Sequence, residues 1–126
     1  MSFDKILFAF VIVLALTLNV GFVVGDITVI AHHNVYELAL ALIVSLLATV
    51  MKFGDRSQLG STLLATSLVA DVQLIGAAVV WAVVSRDGSP VTDHESVTIV
   101  SLAIGALVAN LVSVLLLIIE TASLRR

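Results

Sequence analysis

Residues 61–84 read STLLATSLVADVQLIGAAVVWAVV. Roughly 20 apolar residues suffice to cross a lipid bilayer as a helix, and this run meets that criterion. Its one ionisable residue, Asp71, falls near the middle. A carboxylate at that depth costs about 2.5–3.5 kcal/mol on insertion scales. Chains that keep one turn it toward a helix bundle or a water-filled path, so Asp71 is the first candidate functional residue.

Working outward, three more apolar runs have spanning length: Ile6–Val24, Val35–Met51 and Val97–Ile119. The whole chain is 60% hydrophobic and 12% charged, with a mean hydropathy of +1.21. Soluble domains sit near half apolar and a quarter charged, so the expected solvent here is lipid. Residues 1–126 therefore read as a single all-α integral membrane domain of four transmembrane helices, with short polar connections. The first run is too long for the apolar region of a signal peptide, and no small-residue cleavage pattern follows it. There is no basic stretch suited to nucleic acid.

The basic residues orient the chain. Lys5, Lys52, Arg56, Arg125 and Arg126 fall on one side of a four-span path, and Arg86 alone falls on the other. The positive-inside rule then places both termini in the cytoplasm, in a plasma (inner) membrane. Asp26, Glu37, Asp87, Asp93 and Glu95 gather on the opposite side, together with His32, His33 and His94. Such an acidic mouth would raise the local concentration of cations.

Counting along each helix from its cytoplasmic end brings Asp71, Gln73, Asn110, Thr17 and Asn19 to a common depth near the midplane. On this count Ser45 lies nearer the cytoplasm, which leaves span two outside the polar layer. Ser67 and Asp71 are four residues apart and share one face of span three; Thr66 and Gln73 share a nearly opposite face. A helix polar on both sides is expected to be central, with one face packed in the subunit and the other toward a neighbour or a pore. The plainer alternative for Asn19, Gln73 and Asn110 is interhelical hydrogen bonding, contributing about 0.6–2 kcal/mol each.

Small residues repeat every four positions at Ser101, Gly105, Ala109 and Ser113 in span four, and Gly21 follows Thr17 at the same spacing in span one. Stripes of this kind let helix backbones approach closely, and their number suggests a homo-oligomer. His32, His33, His94 and Glu95 form a weak candidate metal set if the two outer loops meet. Cysteine is absent, and neither His-Glu-x-x-His nor Gly-x-Ser-x-Gly occurs, so an enzyme is not expected. The potassium-filter sequence Thr-Val-Gly-Tyr-Gly is also missing.

The resulting expectation is a homo-oligomeric cation channel or cation transport protein. Asp71 would bind the ion, with Thr66, Ser67, Gln73, Asn110 and Asn19 supplying neutral polar groups. No cofactor is expected beyond a bound cation. Two alternatives stand beside it: an accessory subunit of a larger membrane complex, with Asp71 paired to a partner's basic residue, and a small proton-coupled transporter. Regulation from inside would need a separate soluble subunit meeting Lys52, Arg56 and the Arg125–Arg126 tail.

Overall fold

The computed structural model describes residues 3–25, 28, 29, 31, 33–54, 57–86 and 88–124. They form four helices: α1 (Phe3–Val23), α2 (Val35–Lys52), α3 (Gln58–Val84) and α4 (Asp93–Leu124). All four are long and apolar enough to cross a membrane. The helices extend beyond the apolar runs mainly where polar residues cap or lengthen them, as at Gln58 and Asp93. Arg56, Arg125, Arg126, Asp26, Asp87 and His32, used above for orientation or as a metal ligand, lie outside the described residues.

Local chemistry sets several helix starts. The Asn34 side chain accepts from the Tyr36 N–H at 2.8 Å and caps α2. Ser57 does the same for α3 through the Gly60 N–H at 2.9 Å. At α4 the pairing is reciprocal: the Glu95 N–H donates to Thr92 Oγ1 (3.1 Å), and the Thr92 N–H donates to Glu95 Oε1 (2.9 Å). This is a capping box, which satisfies two backbone donors that the first helical turn leaves open. Gly54, at φ +92°, occupies the left-handed region in the turn that follows α2.

The helices close a ring in chain order, α1 beside α2, α2 beside α3, α3 beside α4, and α4 back against α1. Neighbours run antiparallel. Lys52 at the end of α2 sits 4.3 Å over the ring of Phe8 near the start of α1, while His33 just before α2 meets Phe22 near the end of α1. Span two is therefore a full member of the ring, contrary to the position expected for it.

Only 28–33% of each spanning window is buried inside the bundle, so the larger part of every helix faces outward. That outer surface carries Phe10, Val50, Val72 and Ile119, each more than half exposed. So large an apolar surface has lipid as its natural solvent.

The interior has two apolar clusters. Phe22, Leu38, Ala41, Leu74, Ala77 and the Ile99–Ala109 face of α4 fill the half nearer the α1–α2 and α3–α4 connections. Phe8, Val11, Ile12, Ala48, Leu63 and Leu117 fill the half nearer the termini. The alanines keep the helices close.

Candidate functional site

Between the two apolar clusters every helix contributes a buried polar side chain: Asn19 from α1, Ser45 from α2, Ser67 from α3, and Asn110 with Ser113 from α4. Asp71 joins this layer from α3 and is only 4% exposed. The common depth expected for Asn19, Asp71 and Asn110 corresponds to this seam.

Asp71 is held by α2. Ser45 Oγ donates to Asp71 Oδ1 at 2.7 Å, and Thr49 Oγ1 lies 2.5 Å from Asp71 Oδ2. Thr49 Oγ1 also lies 3.1 Å from the Ser45 carbonyl oxygen, one turn back along its own helix. Hydrogen bonds to a charged group contribute about 1.5–3 kcal/mol each, comparable with the insertion cost of the carboxylate.

The expected exclusion of span two rested on Cα heights. Side chains on a helix tilt toward its N-terminus. In antiparallel neighbours they therefore tilt toward one another: Asp71 leans toward the Gln58 end of α3, and Ser45 and Thr49 lean toward the Val35 end of α2. Groups whose Cα atoms differ in height meet this way. Thr49 was missed for the same reason, although its four-residue spacing from Ser45 marks a hydroxyl-bearing face.

The other polar face of α3 is met by α4. Thr66 Oγ1 lies 2.5 Å from Ser113 Oγ. Gln73 lies across Gly105, so near that a Cβ built there would fall 2.7 Å from Gln73 Oε1. Both polar faces of α3 thus have a partner within the same subunit, while Thr66 and Gln73 stay half-buried beside the outward-facing Val69 and Val72. Thr17 is exposed and bonds back to the Val13 carbonyl at 2.8 Å.

The layer also holds buried polar atoms with no hydrogen-bond partner in the protein: both amide atoms of Asn19, Ser67 Oγ and Asn110 Nδ2. Such groups are uncommon in folded interiors, where leaving one unsatisfied costs about 1–3 kcal/mol.

The small-residue stripe is divided. Ser113 and Ala109 are buried and Gly105 packs on Gln73, while Ser101 is exposed. Gly21 faces the Glu37 carboxylate so closely that a Cβ there would require the end of the Glu37 side chain to shift.

The weak metal set separates into individual roles. His33 Nδ1 lies 2.6 Å from the Phe22 carbonyl oxygen, so this nitrogen carries the hydrogen and satisfies a carbonyl of the last turn of α1. Its ring packs on Phe22, which in turn meets Trp81. Glu95 belongs to the cap of α4, and His94 is exposed beside it. Among the described residues no three His, Cys, Asp or Glu side chains come together as a metal group.

Fold and site together define a polytopic, four-helix membrane protein with a carboxylate in a buried polar layer. Residues 32–121 match the model of a family described as "Family of unknown function (DUF6394)", and the chain belongs to that family. The match takes in α2, α3 and most of α4, including both sides of the Asp71 contact. Comparison with curated proteins and with solved structures gives no match.

Proposed function

We propose that this protein moves a cation across its membrane, with Asp71 as the group that binds the ion. The observation that carries this reading is the hydroxyl-held carboxylate of Asp71 in a layer where Asn19, Ser67 and Asn110 keep partnerless polar atoms. A carboxylate is a costly way to make a hydrogen bond that an amide could make, and ionisable groups inside membranes mark ion and proton pathways. Thr66, Gln73 and Ser113 extend the polar path on the α4 side of α3.

The accessory-subunit reading gains less support. Asp71 is turned inward onto α2, and a partner's lysine or arginine would have to open the α2–α3 contact to reach it. The working protein is taken to be a homo-oligomer in a plasma (inner) membrane, with both termini cytoplasmic.

Reconstitution in proteoliposomes tests the reading. Cation flux, measured for protons, sodium and potassium in turn, should be present in the natural protein and lost in Asp71→Asn. Flux at the natural level in a correctly inserted Asp71→Asn protein would defeat it.

A further inference from the structure

We infer that the ion is a proton, held on Asp71 Oδ2 and stabilised through Thr49; this rests on the cation-transport reading above. The argument is one of hydrogen counting. The Thr49 hydroxyl has one hydrogen and two acceptors in reach, Asp71 Oδ2 at 2.5 Å and the Ser45 carbonyl oxygen at 3.1 Å. Ser45 Oγ is engaged with Asp71 Oδ1 at 2.7 Å.

Two arrangements satisfy this geometry. With Asp71 as the carboxylate, both hydroxyls donate to it and the Ser45 carbonyl keeps only its helix bond. With Asp71 as the acid, Oδ2–H donates to Thr49 Oγ1, and the Thr49 hydrogen turns to the Ser45 carbonyl. Ser45 Oγ–H still donates to Oδ1. Three hydrogens then meet three acceptors. The two arrangements differ by one proton and by one rotation of the Thr49 hydroxyl. Uptake adds a proton to Oδ2 and swings the Thr49 hydrogen away; release removes that proton and swings it back. One proton enters and one leaves, and no heavy atom has to move.

A metal cation suits the same site poorly. Hard cations are held by shells of oxygen, about 6–8 for calcium. Here each carboxylate oxygen already faces a hydroxyl. The four partnerless atoms of the layer are two amide nitrogens, Asn19 Nδ2 and Asn110 Nδ2, which can only donate and cannot ligate a metal, and two oxygens, Asn19 Oδ1 and Ser67 Oγ. Donors and acceptors mixed in this way suit the passing of protons. Ser67 lies one turn from Asp71 on the same face of α3, and Asn19 of α1 and Asn110 of α4 are buried in the same layer.

The test uses the full chain in vesicles, with a pH-sensitive dye inside and sodium and potassium fluxes followed in parallel under an imposed potential. Infrared spectra of the same samples across pH read the carbonyl band of a protonated acid. The expected result is proton uptake without sodium or potassium flux, lost in Asp71→Asn. It comes with an acid carbonyl band that Asp71→Asn removes and Thr49→Val shifts. Sodium or potassium flux that depends on Asp71, without acidification, would overturn the proton and leave the cation-transport reading standing. No flux of any of these ions would overturn both. An acid band that never appears, at any pH where the protein stays folded, would also overturn the proton.

Discussion

Asparagine at position 71 would keep an oxygen for Ser45 Oγ–H and place an amide N–H where the acid form has its O–H. Thr49 Oγ1 can accept that N–H while its own hydrogen turns to the Ser45 carbonyl. Asp71→Asn should therefore fold with thermal stability in detergent equal to or above that of the natural chain, even as transport is lost. A large drop in melting temperature would mean that the carboxylate itself holds α2 to α3. Thr49→Val makes the complementary change. It keeps the shape but leaves Asp71 Oδ2 without its partner, and should cost about 1–3 kcal/mol by the same measurement. That Asp71 would be turned into the bundle was legible in the sequence, because one acid in a long apolar run has few cheap placements. Its partners were not, because the tilt of a side chain toward its helix N-terminus does not show in a count of residues.

Among the elements, α3 and α4 are joined by a contact whose tolerance can be stated in advance. A Cβ at Gly105 meets only the far end of the flexible Gln73 side chain, which can shift. Gly105→Ala should accordingly be mild, while Gly105→Leu overpacks the contact and should cost about 1–3 kcal/mol of thermal stability. Equal stability of the two variants would show that Gln73 swings fully clear. The loss is expected within the subunit, since Gly105 faces its own α3. The α4 cap gives another expectation: Thr92→Ala removes the acceptor for the Glu95 N–H and should cost about 1 kcal/mol, read as fraying of the first turn in hydrogen exchange. Helix existence was legible from apolar run length alone, and α2 is found nearly where those runs put it, at Val35–Lys52. The longer reach of α3 and α4 depends on caps and polar extensions that an apolar count passes over. The ring order was hidden too, because α3 is polar on two faces and the sequence does not say which neighbour meets which.

For the whole molecule, four antiparallel helices put Phe3 of α1 and Leu124 of α4 at one end of the bundle, and the proposed topology, argued from lysine and arginine in the sequence, sets that end in the cytoplasm. Reporter fusions at Met1 and Arg126 should both report cytoplasm; an external signal from either would reverse the assignment of the acidic mouth. The four helices also differ in length. At about 1.5 Å per residue, α2 with its 18 residues is about 27 Å long, and α4 with 32 residues about 48 Å. A typical hydrocarbon layer is about 30 Å thick. The Asn34 cap at one end of α2 and Lys52 at the other both favour the polar boundary, so the bilayer along that flank is expected to thin, while the polar ends of α4, at Asp93 and Glu120, are expected to reach past it. On that expectation the protein acts as a wedge-shaped load on its membrane. Acyl-chain length then becomes a variable acting on the same helix that grips Asp71: thicker bilayers pull on α2, and melting temperature should fall along a series of lengthening phosphatidylcholines once the match to α2 is passed.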